Sequence, residues 1–185
     1  MRGLKEKTPS DEQLFLNWRD GDLESFELLL ERYQARLFRT ILAWTKDFQL
    51  AEDIFQETWM KVIAHKQDFD SQKKFSSWIF QIALNLVRDS WRKNQRQQKE
   101  IELEFVSANP VSFHPEQSLE YKERKERLLW ALFHLSEAER EVFVLRHFAE
   151  MSFAEIADML GINLNTALGR MHQAVKKLKK LFGEE

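Results

Sequence analysis

Ser152-Phe-Ala-Glu-Ile-Ala-Asp-Met-Leu-Gly-Ile-Asn-Leu-Asn-Thr-Ala-Leu-Gly-Arg170 holds a helix start, a stop and a second start in close succession. Ser152 and Glu155 form a capping box, in which the serine accepts a first-turn N–H and the glutamate reaches back to the cap. The spacing predicts a helix over 153–160 that ends at Gly161, a residue suited to the left-handed C-terminal position. Asn163 can cap a final helix from Leu164 to about Leu181. Helix, glycine turn and longer basic helix is the form of a helix-turn-helix, whose second helix lies in the major groove. An αα-hairpin without DNA would read the same way. On the final helix Ala167, Met171, Ala174, Leu178 and Leu181 form the inward stripe, leaving Asn165, Thr166, Arg170, Gln173 and Lys177 outward. Polar side chains near the start of such a helix can reach base edges, and lysines further along serve phosphates.

Working toward the N-terminus, Ser136-Glu-Ala-Glu139 is a second capping box, preceded by a helix predicted from about Leu119 to Leu135. Periodicity fades between about Ile101 and Gln117, where Pro110 and Pro115 fall, so this is the expected linker. Before it, Phe26, Leu29, Leu30, Tyr33, Leu37, Ile41 and Trp44 recur at helical steps after Asp22, a candidate N-cap. A helix over about 50–64 carries Ala51, Ile54, Phe55, Thr58 and Val62 on one side and Asp53, Gln56, Glu57 and Met60 on the other. A third spans about 76–97, with Trp78, Ile82 and Leu86 inward beside Ile79, Ala83 and Val87. For Trp91, packing and base stacking both remain open.

The 185-residue chain has five Gly and three Pro, and none of either between Asp22 and Asn109. Sandwiches and barrels need turn residues every 8–12 positions or so, which this stretch lacks, so the expected fold class is all-α. Zero cysteines exclude disulfides, thiolate zinc sites and cysteine nucleophiles. No run of 18 apolar residues and no signal-peptide core is present, so a cytoplasmic protein without membrane insertion is expected. Gly-rich phosphate loops, G-x-S-x-G and H-E-x-x-H are missing, and the five histidines are scattered. A non-enzyme without metal or cofactor is expected.

The net charge of −2 hides segregation. Seven acids stand against Arg19 between Asp11 and Glu31, whereas Asn163–Phe182 holds five bases and no acid. Arg88, Arg92, Lys93, Arg96 and Lys99 stand against Asp89 alone. Two basic segments on an otherwise acidic chain point to a polyanion gripped at two places.

Taken together, the two halves resemble the extracytoplasmic-function (ECF) group of bacterial RNA polymerase sigma factors. The matching stretches are Ala51-Glu-Asp-Ile-Phe-Gln-Glu-Thr-Trp-Met-Lys61 and Phe75-Ser-Ser-Trp-Ile-Phe-Gln-Ile-Ala-Leu-Asn85, with Asp89 and Arg92. Further along they are Leu135-Ser-Glu-Ala-Glu-Arg-Glu-Val-Phe, Met151-Ser-Phe-Ala-Glu-Ile-Ala, Leu160-Gly-Ile, Asn165-Thr and Arg170-Met-His.

The resemblance implies two small helical domains: sigma region 2 over 10–97 and sigma region 4 over 118–183, joined by a flexible linker at 98–117. It implies that Asp53, Gln56, Glu57 and Met60, with Lys61 at the margin, face the β′ clamp helices of core polymerase, and that the β flap is a second contact. Asp70, Ser71, Gln72, Lys73, Lys74 and Phe75 look like the loop that captures a flipped base of the minus-ten element. Asn85 matches the reader of the unwound strand, and Arg88, Arg92 and Lys93 would hold phosphates. Asn165, Thr166, Gly169, Arg170, Gln173 and Lys177 fall where the family reads the minus-thirty-five duplex. An anti-sigma partner is a further implication. The chain departs from the family's pattern at Leu84 and Leu168, where cations are common, and at Gly169, which costs a helix roughly 1 kcal/mol relative to Ala. The competing reading is a dimeric helix-turn-helix regulator, which would bind duplex DNA tightly without polymerase.

Overall fold

The computed structural model describes residues 9–98 and 127–183, and all regular structure among them is helical. Apart from Gln98, the expected linker lies outside the described residues, as does the start of the helix expected from Leu119.

The first unit opens with α1 (Asp11–Arg19), which the sequence reading took only as part of an acidic run. Ser10 caps it by accepting the Gln13 N–H at 3.2 Å, and Leu14, Phe15 and Trp18 are its buried residues. After Gly21 at φ 114°, Asp22 caps α2 (Leu23–Thr45) by accepting the Glu24 N–H at 3.1 Å. That long helix buries Leu29, Tyr33, Leu37, Ile41 and Trp44, the stripe expected from the sequence. It stops at Lys46, whose φ of 56° turns the chain, and Asp47 caps α3 (Phe48–Ala64) at once. Next, α4 (Phe75–Gln98) completes the bundle with Phe75, Ile79, Phe80, Ala83, Leu84 and Val87 fully buried. Burial of a Phe or Ile side chain is worth about 1.5–3 kcal/mol, so this shared core holds α4 in register.

In the second unit a helical segment, α5 (127–132), ends before Leu135, earlier than its periodicity predicted. Both capping boxes form: at Ser136 for α6 (Glu137–His147) and at Ser152 for α7 (Phe153–Leu160). Gly161 sits at φ 64°, and Asn163 accepts the Thr166 N–H at 2.7 Å to start α8 (Leu164–Phe182).

Helix α6 buries five consecutive residues, Glu141, Val142, Phe143, Val144 and Leu145. Five consecutive residues go round a full helical turn, so this stretch must be covered on every side. Here one side meets α7 and α8 and the other meets α2 of the first unit. The two units, expected as modules tethered loosely, therefore share an interface.

Candidate functional site

Along α3 the side chains of Asp53, Gln56, Glu57 and Met60 all point to solvent, and Lys61 is half-buried. Lys61 and Glu57 approach to 3.8 Å one turn apart. Exposure continues through Gln49 and Ile63, which extend the same face at helical spacing and were missed by the sequence reading. Met60 is 68% exposed and Ile63 48%, giving the acidic face two apolar anchors.

The loop before α4 is tied by a turn in which Asp70 accepts the Gln72 N–H on its side chain (3.0 Å) and the Lys73 N–H on its carbonyl (2.9 Å). Asp70, Ser71, Gln72, Lys73 and Lys74 are exposed. Phe75 is not: it is fully buried against Phe15 and Tyr33, with ring centroids 5.3 and 5.0 Å away, and its N–H donates to Glu12. It has no surface to offer a base, and instead anchors the loop to the core. Leu84 is equally buried, so an apolar side chain fits there where the resemblance led to a cation being expected. Trp78 packs on Phe69 at 5.1 Å, as a core residue. Asn85, Arg92 and Lys93 are exposed along α4, with Gln81 donating to Asn85 at 2.9 Å and Arg92 paired with Asp89 at 3.0 Å.

Arg88 has a different setting. Its Nε and Nη2 donate to the two carboxylate oxygens of Glu141 on α6, each at 2.7 Å, in a bidentate pair that crosses between the units. The Glu141 side chain is 4% exposed, the Arg88 side chain 30%. A phosphate bound by the Nε and Nη2 edge of this arginine would have to displace Glu141. Lys74 likewise reaches Glu155 at the start of α7 at 2.8 Å, and Arg36 lies 3.9 Å from Glu150. Arg140 stacks between Trp91 (4.8 Å) and Phe133 (4.5 Å), so Trp91 is engaged in packing. Between the units lies a cavity of about 510 Å³ lined in part by Arg88, Arg92 and Arg170 on one hand and Glu137 and Glu141 on the other.

Burial raises the carboxyl pKa of Glu155, but hydrogen bonds from Lys74 and Ser152 outweigh it and bring it from 4.5 down to about 2. A folded-state pKa below the unfolded one adds stability above pH 4.5 that is lost as the pH falls toward 2. Glu155→Gln keeps an oxygen for the capping box and removes the charge facing Lys74. The Tm gap between wild type and Glu155→Gln is therefore expected to be constant near neutrality and to close as the pH approaches 2. A gap independent of pH would assign the whole effect to the cap.

Helix α8 buries Ala167, Ala174 and Leu178 against α6 and α7, which fixes which side faces out. Asn165, Gly169 and Gln173 are exposed, while Thr166 and Arg170 are half-buried. The Asn163 cap also takes the Thr166 hydroxyl at 2.9 Å. Lys177 donates to Glu139 at 2.7 Å. The side of the helix turned furthest from its core also carries His172, Lys176 and Lys180, and Leu168 flanks it.

With this geometry the family models of Sigma-70 region 2 and Sigma-70 region 4 match residues 29–97 and 125–178. Among relatives, the RNA polymerase sigma factor CarQ of Myxococcus xanthus is 33% identical, spanning 90% of this chain and 94% of its own. The ECF RNA polymerase sigma factor SigM of Bacillus subtilis is 30% identical, over 81% and 92%. Among solved structures, CnrH in complex with the cytosolic domain of CnrY superposes with a TM-score of 0.73 at 24% identity, covering 96% of this chain and 99% of that one. RpoE bound to the anti-sigma factor NepR from Bartonella quintana gives 0.75 at 23%, over 86% and 98%. The chain belongs to the sigma-70 family of RNA polymerase sigma factors, in its ECF group. It is a non-catalytic subunit acting in transcription initiation, with two helical sigma domains. Among the described residues no helix is long and apolar enough to cross a membrane.

Proposed function

We propose that the exposed α3 face of Asp53, Gln56, Glu57 and Met60, widened by Gln49 and Ile63, docks on the β′ clamp helices of core polymerase. The observation that carries this reading is a continuous acidic face with protruding apolar side chains on a helix whose opposite side is locked into the core. The loop 70–74 takes a base flipped from the minus-ten element, and Asn85, Arg92 and Lys93 track the unwound strand. Extrusion costs a few kcal/mol per base, offset by burying the base in a pocket. Helix α8 reads the minus-thirty-five duplex through its outward side, and the second domain meets the β flap.

Arg88 and Lys74 join the DNA contacts only when their second-domain carboxylates are released. An anti-sigma factor holds the protein inactive in the cytoplasm; support comes from two solved relatives of the same fold, one with NepR and one with CnrY bound. Run-off transcription from a genomic fragment library with reconstituted holoenzyme tests the reading. Discrete start sites absent from core polymerase alone are expected; their absence, with core bound, would overturn it.

A further inference from the structure

Beside its cationic outward side, α8 has an exposed apolar flank. Leu164 and Leu168, one turn apart at its N-terminal end, are 47% and 42% exposed. Gly169 lies beside them, exposed, and a Cβ built there meets nothing within 4 Å. No internal crowding accounts for a glycine that weakens the helix by roughly 1 kcal/mol relative to alanine. The open space beside it leaves room for a surface to come close to the backbone from outside.

The surroundings say what kind of surface. From Asn163 to Phe182 the helix holds five bases and no acid, and Lys176 and Lys180 project from the side that carries Gly169. A polyanion fits that charge, and the apolar pair sits in the first turns, where a groove-reading helix meets base edges. The apolar feature in the major groove is the C5-methyl of thymine.

We infer that Leu168, supported by Leu164, is a specificity-determining residue that reads thymine methyl groups in the upstream promoter element, and that Gly169 lets the helix backbone come close to the groove. The inference rests on the proposed reading of duplex DNA by α8. The position where the family commonly has a cation thus serves base discrimination.

The test uses holoenzyme and an upstream element mapped on a promoter found by run-off transcription. Each thymine in the element is replaced by deoxyuridine, which removes only the methyl group, and binding is compared for wild type and Leu168→Ala at one salt concentration. Burial of one methyl predicts an affinity loss of about fourfold at one or more positions for wild type. Leu168→Ala is expected to bind normal DNA more weakly and to show no further loss with deoxyuridine. Equal sensitivity of both proteins, insensitivity of wild type, or an element without thymine would each overturn the inference.

Base-pair transversions separate this from failure of the parent reading. If transversions matter and deoxyuridine does not, only the methyl contact fails; if transversions are silent, α8 does not read the duplex at all. If Leu168→Ala instead weakens binding to core polymerase, the patch serves a protein and the inference fails. Gly169→Ala adds an independent arm. It is expected to raise Tm by a few degrees while weakening promoter binding, and a rise in Tm with unchanged binding would contradict the close approach.

Discussion

Arg88→Ala is expected to loosen the two domains from each other by about 3 kcal/mol. The substitution removes both 2.7 Å hydrogen bonds from Glu141 and leaves its carboxylate with 4% of its side chain exposed. Breaking one partner of a buried ion pair costs about 3–5 kcal/mol, and the lower end applies because Arg88 itself is 30% exposed. The chain contains no cysteine, so single cysteines placed at exposed Gln67 and Lys180 allow energy transfer to report domain separation. Lower transfer efficiency in Arg88→Ala, with helicity retained, is the expected result, and an unchanged distance would contradict the role of the pair. Glu141→Gln tests the complementary side. It weakens the hold on Arg88 without deleting the cation, so the free protein should bind single-stranded DNA more tightly than wild type, with a steeper salt dependence. Unchanged binding would mean that Arg88 is not the contact that Glu141 blocks.

The second large effect is expected on α3. Asp53→Ala, Gln56→Ala and Glu57→Ala combined should lower affinity for core polymerase by about a hundredfold, or about 2.8 kcal/mol. All three side chains are exposed, and alanine is the better helix former, so Tm should stay level or rise slightly. Loss of affinity without loss of Tm separates an interface from a structural role. Unchanged affinity would remove α3 from the polymerase contact and leave its acidic face without an assigned partner.

Much of the fold was legible because its signals are local. The capping boxes at Ser136 and Ser152, Gly161 and the Asn163 cap each act within a few residues, and all appear as the sequence implies. Helix α1 was missed because it is only nine residues long and Asp11 and Glu12 open it inside a longer acidic run. The signal lay in Ser10 three residues before Gln13 and in Leu14, Phe15 and Trp18 behind it. Site residues were harder to place. Periodicity put Lys177 outward and it is exposed, though its ammonium also bonds Glu139, while the resemblance put Phe75 in the DNA loop although it fills the core. The contact between Arg88 and Glu141 joins residues 53 positions apart, and nothing in either segment alone signals that pairing. Long-range charge pairs are set by how the units dock, which no local pattern encodes.

Docking also occupies cations that the proposed function assigns to DNA. With Arg88 on Glu141 and Lys74 on Glu155, part of the basic surface implied by the sequence is neutralised internally. Polymerase or promoter binding that draws the domains apart would free it, and in the proposed function the acidic residues of the second domain would then compete with the phosphate backbone.

The most direct measurement is a combined footprint of the reconstituted holoenzyme on one of its own promoters, using nuclease protection together with permanganate reactivity of unpaired thymines. Two separate protected patches are expected, the upstream one duplex and unreactive, the downstream one reactive, with Arg92→Ala reducing the second and Gln173→Ala the first. A single protected duplex patch without reactive thymines, or the same footprint from the protein without polymerase, would contradict the account.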